Sequence, residues 1–179
     1  MKKLLKQLKL IDFFTTEIEI EKSDFVKRFK ENVDEGSTGI MFSAFEIFSS
    51  SKNEFKGSVS YDGFKIRRKR KFFDMNMNIA VAQGTYRQKD GVLKIETEIN
   101  GFHGMFIPFY IIGIVFYIGM ITTISLSGNP MPVFVFPFIL FHAAFMFGIP
   151  YFIMKRSAKR MKYELEREFY YMTKNKSLK

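Results

Sequence analysis

The stretch that decides the architecture runs from residue 101 to residue 154: GFHGMFIPFYIIGIVFYIGMITTISLSGNPMPVFVFPFILFHAAFMFGIPYFIM. These 54 residues contain no Asp, Glu, Lys or Arg, although the chain of 179 residues carries 28 basic and 18 acidic side chains. A soluble domain does not segregate its charge in this way, whereas a membrane span needs about 20 predominantly apolar residues. The stretch is too long for one span, and Ser127-Gly128-Asn129-Pro130-Met131-Pro132 divides it with the residues of a tight turn. The reading is one transmembrane helix at 105–126, an external turn at 127–132 and a second transmembrane helix at 133–154. A helix of about 22 residues rises roughly 33 Å, enough to cross the hydrocarbon with little tilt. So short a turn makes the two helices antiparallel neighbours, a transmembrane hairpin with both ends on one side.

Lys155, Arg156, Lys159, Arg160 and Lys162 follow the second span directly, and the turn has no Lys or Arg. The positive-inside rule then puts both termini in the cytoplasm, and the expected location is a bacterial inner (cytoplasmic) membrane. Residues 1–13 begin with a basic cluster like a signal peptide, but Lys6 and Lys9 interrupt the apolar part and no small-residue cleavage site follows. This segment reads as an amphipathic helix resting on the inner leaflet. Within the spans, Gly119 with Thr123 and Ala144 with Gly148 have the four-residue spacing that lets helices approach closely. His142 is the ionisable group deep in a span, with Thr122, Thr123 and Ser125 of the other helix as its expected hydrogen-bond partners. Pro137 and Pro150 are expected to kink the second helix.

Residues 14–100 read as a cytoplasmic antiparallel sheet domain. Phe14, Thr16, Ile18 and Ile20 alternate with Thr15, Glu17, Glu19 and Glu21, the period of a strand with one wet face. Ser23 is placed to cap a short helix whose Phe25, Phe29 and Val33 share a side, and residues 34–39 end it. Further strands are expected at 40–48, at 55–61, from Phe64 after the hairpin signal Asp62-Gly63, at 78–87 and at 93–99. Short turns make this run an antiparallel meander. Residues 155–173 read as a C-terminal helix packing on the sheet through Met161, Leu165, Phe169 and Met172, spaced four, four and three apart. The fold class is therefore an α+β membrane protein: an antiparallel sheet with a short helix and a C-terminal helix, interrupted by a transmembrane helical hairpin.

With the hairpin removed, the order strand, helix, antiparallel strands and long helix is similar to the helix-grip fold of START-like and polyketide-cyclase-like proteins. The opening Thr16-Glu17-Ile18-Glu19-Ile20-Glu21-Lys22-Ser23 looks like the start of such a domain. The run Phe55-Lys56-Gly57-Ser58-Val59 with Gly63-Phe64-Lys65-Ile66 resembles bacterial proteins that carry a small sheet domain and two membrane helices. The resemblance implies a curved sheet wrapped around the C-terminal helix, and it transfers no catalytic residue.

The chain has no Cys and two His, which excludes disulfides, thiolate catalysis and Cys-ligated metals and leaves little for a His-based site. It has no phosphate-binding loop, dinucleotide fingerprint, metalloprotease motif or nucleophile elbow. No cofactor, metal or enzymatic activity is expected. Residues 65–71 hold six basic side chains in seven positions. Basic side chains near an anionic leaflet gain about 1 kcal/mol each, so Arg67, Arg68, Lys69 and Arg70, with Lys155, Arg156, Lys159 and Arg160, are the expected membrane-surface contacts. Partners are then the membrane, its anionic lipids and other membrane-protein subunits or further copies of the chain, not nucleic acid. The leading functional reading is a non-enzymatic inner-membrane protein presenting a small cytoplasmic interaction domain, such as a subunit of an envelope complex. The alternative is a lipid or apolar-ligand binder with a helix-gripped groove.

Overall fold

A computed structural model describes residues 2–39, 51–69, 78–128 and 133–174. The chain divides into two compact units. Unit 1 comprises Met1–Phe102 and Met154–Lys179, and unit 2 comprises His103–Ile153.

Among the described residues, unit 1 is built on a six-stranded sheet. Its elements are α1 (Lys2–Gln7), β1 (Ile11–Ile18), α2 (Lys22–Glu31), β2 (Val33–Glu35), β3 (Phe55–Val59), β4 (Gly63–Arg68), β5 (Val81–Lys89) and β6 (Val92–Asn100). The spatial order is β1-β6-β5-β4-β3-β2. Strands β3 to β6 are successive antiparallel neighbours, and β1 closes the far side against β6. The sheet is mixed rather than antiparallel throughout, because β2 pairs parallel with β3. The reason is topological: α2 carries the chain from β1 across to the opposite edge, so β2 enters there in the direction of β3. The expected strand at 40–48 lies outside the described residues.

Strand alternation is clearest in β6, where Leu93, Ile95, Thr97 and Ile99 are buried and their neighbours are partly exposed. Strand β1 starts at Ile11, earlier than the wet-faced pattern suggested, because Leu10 and Ile11 are themselves buried. Helix α2 has Glu21 at its N-cap with no side-chain cap bond, so Ser23 lies inside the helix instead of capping it. Strand β5 begins at Val81 rather than at Asn78, for a reason given below.

The second apolar helix and the C-terminal helix are one element, α4 (Val135–Lys174). The hairpin therefore does not interrupt the fold as a separate insertion ending at residue 154. Pro150 sits inside α4 without ending it, and Pro137 falls in the first turn, where helical N–H groups have no internal acceptor to lose. In unit 1, α4 buries Met154, Ala158, Met161, Leu165, Phe169 and Met172 along one stripe. Phe169 is fully buried, its ring centroid 5.5 Å from those of Phe25 and Phe29 and 6.1 Å from that of Phe64. Phe64 in turn occupies the space above Gly84, where an added Cβ would come within 2.3 Å of its ring.

Unit 2 contains α3 (Phe106–Leu126) and the apolar part of α4. Both helices are long and apolar enough to cross a membrane. Their apolar side chains are largely exposed: Ile112 is 68% exposed, Val115 64% and Phe141 64%. Close approach occurs where Gly113 meets the ring of Phe147, not at the expected small-residue pairs. Gly119 has nothing near its Cβ position, and Gly148 meets only Phe152 of its own helix.

Candidate functional site

The sequence singles out the basic run, and the sheet register decides where that run goes. Strand β4 continues through Arg68, so Arg68 shares the inward face with Phe64 and Ile66. There it meets Glu164 of α4, with Nη1 of Arg68 3.4 Å from Oε1 of Glu164. Glu164 also pairs with Arg160 at 3.5 Å and with Arg167, and Arg167 reaches Glu54 at 3.3 Å. Lys69 pairs with Asp34 of β2, whose carboxylate also accepts hydrogen bonds from Ser51 Oγ at 2.7 Å and Asn53 Nδ2 at 2.9 Å. Arg67 Nη1 donates to the Arg68 carbonyl at 3.2 Å.

Arg67, Arg68 and Lys69 are buried, so the expectation that they touch lipid headgroups needs correcting. Arg68 and Lys69 clamp β4 to α4 and to β2, and a buried guanidinium or ammonium that is already paired cannot also neutralise headgroups. Arg70 lies outside the described residues. Of the other expected surface contacts, Arg156 and Lys159 are exposed, Lys155 is half-buried, and Arg160 is half-buried and paired with Glu164.

The cluster shifts two carboxyl groups. Desolvation pushes Asp34 up, but the hydrogen bonds from Lys69, Ser51 and Asn53 together outweigh it, and the net pKa lies below the ordinary value. Glu168 is pushed up by burial and by the nearby negative charge of Glu54, with Arg167 opposing. Burial also raises Tyr86. Among the described residues no group of three or more His, Cys, Asp or Glu could hold a metal ion.

A second feature lies at one end of the sheet. Register aligns Ile11, Asn100, Val81 and Arg67 in one row across four strands. Just beyond that row, the Gly101 N–H donates to Leu10 O at 2.8 Å. Helix α4 crosses the same glycine so closely that an added Cβ would lie 2.6 Å from Met154 O and 2.9 Å from the Ala158 Cβ. One turn on, the buried Ser157 Oγ accepts from the N–H groups of Ile79 at 3.0 Å and Ala80 at 2.9 Å. Those two amides bond to a helix side chain, which is why β5 starts only at Val81.

The N-terminal corner completes this end. Leu10 N donates to Leu5 O at 2.9 Å and Lys9 N to Lys6 O at 3.0 Å, with Lys9 left-handed at φ 55°. That bond pair is the Schellman arrangement, and the buried Leu5 and Leu10 supply its usual apolar contact. The motif is hard to find in sequence because a lysine occupies the position that glycine normally fills. Leu4, Leu8 and Phe13 remain exposed, and Lys6 Nζ sits 5.2 Å from the Phe13 ring centroid.

In unit 2, His142 Nδ1 lies 2.6 Å from the Tyr117 hydroxyl. Thr122, Thr123 and Ser125 donate instead to the carbonyls of Ile118, Gly119 and Ile121 in their own helix. The expected threonine and serine partners are thus replaced by a tyrosine of α3, one turn and a half nearer its start. Met161, Leu165, Phe169 and Met172 lie together in the unit 1 core with Phe25, Phe29 and Phe64. The open grooves of unit 1 among the described residues include one of 460 Å³ on the sheet beside Lys2, Phe13, Gln83 and Glu98, and one of 560 Å³ between β1 and α4 beside Glu17, Glu19, Glu166 and Tyr170. No protein-family model matches the chain, and no curated protein or solved structure is significantly similar to it.

Proposed function

We propose that this chain is a non-enzymatic integral membrane protein of a bacterial inner membrane. It holds a small sheet-and-helix unit at the cytoplasmic leaflet as an interaction module or as a subunit of an envelope complex. The observation that carries the reading is the largely exposed apolar surface of α3 and of α4 before Met154 among the described residues. An apolar face of that extent is stable in lipid and a liability in water. The basic residues after Met154 and their absence from residues 127–132 favour cytoplasmic termini.

Two features of unit 1 favour an interaction module over a ligand carrier. Phe169 and its aromatic neighbours fill the space between helix and sheet in which a helix-gripped ligand would lie. The face of α4 opposite the buried stripe offers Tyr163 and Tyr170, 64% and 59% exposed and seven residues apart, a type of side chain enriched where proteins bind one another. Reporter fusions after Lys179 and within residues 127–132 test the topology, and affinity purification from native membranes with Tyr163→Ala/Tyr170→Ala as control tests the partner. A periplasmic C-terminus, or a set of co-purifying proteins unchanged by the double substitution, would overturn the respective half of the reading.

A further inference from the structure

We propose that unit 1 rests on an anionic lipid surface through the corner formed by α1 and the start of β1, with Leu4, Leu8 and Phe13 entering the headgroup region beside Lys2, Lys3, Lys6 and Lys9. The proposal rests on the reading that α3 and the apolar part of α4 cross a bilayer. It replaces the buried basic run of β4 as the lipid-facing surface.

Both passages of the chain out of unit 1 occur at one end of the sheet. The chain leaves β6 through Gly101 and Phe102, and it re-enters along α4 at Met154, whose carbonyl lies against Gly101. Leu10 is hydrogen-bonded to that same glycine. The corner after α1 therefore belongs to the end of unit 1 from which the apolar segments depart, four residues before α3 begins at Phe106 in one direction. The hairpin turns at Asp62 and at Asp90-Gly91 belong to the opposite end.

The corner has the chemistry of an interfacial anchor. Leu4, Leu8 and Phe13 are 57%, 40% and 46% exposed, while Leu5 and Leu10 hold the corner to the fold. Lys2, Lys3, Lys6 and Lys9 are all exposed around them, and α1 contains no acidic residue. Of these four lysines, Lys2 alone is paired among the described ion pairs, with Glu98 at 3.2 Å on the exposed sheet face, while Asp12 at the start of β1 is taken by Lys162 at 3.1 Å. Apolar side chains ringed by lysine match a surface with anionic headgroups over hydrocarbon, and lysine stems let the ammonium groups stay at headgroup level. Lys9 adds a further sign. A left-handed lysine is strained where glycine would not be, and here it keeps an exposed positive charge at the corner.

The chain has no cysteine, so introduced ones are unique labelling sites. Full-length Leu4→Cys, Leu8→Cys, Tyr61→Cys and Ile112→Cys, each carrying an environment-sensitive fluorophore, are reconstituted into phosphatidylcholine–phosphatidylglycerol vesicles containing headgroup-proximal spin-labelled lipid. Labels at Leu4, Leu8 and Ile112 are expected to be quenched, and the label at Tyr61 in the distal turn is not. Replacing all four lysines by Gln, or omitting phosphatidylglycerol, should remove at least about half of the quenching at Leu4 and Leu8 and none at Ile112. Quenching at Ile112 without quenching at Leu4 and Leu8 overturns the docking and leaves the spanning reading standing. An unquenched Ile112 overturns both. Quenching at Leu4 and Leu8 that is indifferent to lysine and to phosphatidylglycerol overturns the anionic preference.

Discussion

Phe169→Ala is the most informative single perturbation of unit 1. Phe169 is fully buried on α4 and lies within 6.4 Å, centroid to centroid, of Phe14, Phe25, Phe29 and Phe64. It therefore joins β1, α2 and β4 to the helix at one point. Loss of transfer free energy alone would cost about 1.5–3 kcal/mol, and an unfilled cavity brings typical Phe→Ala costs to about 3–5 kcal/mol. Three of the four ring contacts are edge-on or nearly so, a geometry worth about 0.5–1.5 kcal/mol per pair beyond area, which favours the upper half of that range. A loss of about 4 kcal/mol would speed exchange of the best-protected amides nearly a thousandfold. Hydrogen exchange with mass spectrometry on the full chain in lipid nanodiscs reads this directly. The faster exchange should appear together in β4, β5, β6 and the part of α4 after Met154, because one core serves them all. Tyr170→Ala, on the exposed side of the same helix, should change exchange by less than about threefold, within the usual surface effect of roughly 0.5 kcal/mol. An increase below about tenfold for Phe169→Ala, or one confined to α4, would refute the single-core account.

Glu164→Leu should cost about 3–5 kcal/mol by leaving the buried Arg68 without its carboxylate, and Arg68→Met in the same chain should recover most of that loss in the same exchange assay. Asp34 has a folded pKa below its ordinary 3.8, so its contribution is complete above 3.8 and disappears as pH falls below that value toward the folded pKa; an acid titration of Asp34→Asn should lack this step. Glu168 has the opposite sign: its raised folded pKa costs stability as pH rises through and above the ordinary 4.5, so Glu168→Gln should raise the thermal midpoint at neutral pH and not at acid pH. Gly84→Ala should destabilise unit 1 by about 1–3 kcal/mol, since the methyl must displace the Phe64 ring, and thermal unfolding by near-ultraviolet circular dichroism will measure it. Lys9→Gly should instead stabilise the N-terminal corner by about 1 kcal/mol through relief of the left-handed backbone, read as slower exchange at Leu10.

Much of this molecule can be read from local pattern. The absence of charge over residues 101–154 marks the two long apolar helices without any knowledge of their contacts, because length and side-chain polarity are local properties of the sequence. The alternation in β6 and the four-residue spacing of Phe25, Phe29 and of the α4 stripe name the side chains that meet in the core, since backbone geometry sends them to one face whatever lies opposite. The composition likewise excludes disulfide and thiolate chemistry outright.

The remainder depended on which elements lie opposite one another. Residues 65–71 look like a surface patch because six of seven are basic, yet Arg68 faces Glu164 from 96 positions away and Lys69 faces Asp34 from 35 positions away. No local signal tells a paired buried cation from a solvated one; the pairing exists only once the fold brings Arg68 to Glu164 of α4 and Lys69 to Asp34 of β2. The parallel entry of β2 follows from α2 spanning the sheet, and the start of β5 follows from Ser157 capturing the Ile79 and Ala80 amides. His142 similarly takes Tyr117, not the nearby threonines, because Thr122 and Thr123 satisfy themselves on their own helix carbonyls. Propensity and periodicity act within about one helical turn or strand pair, so the sequence alone determined the elements and their inward faces. Charge pairing, strand direction and the close crossing at Gly101 are long-range contacts, and only the tertiary structure decided them.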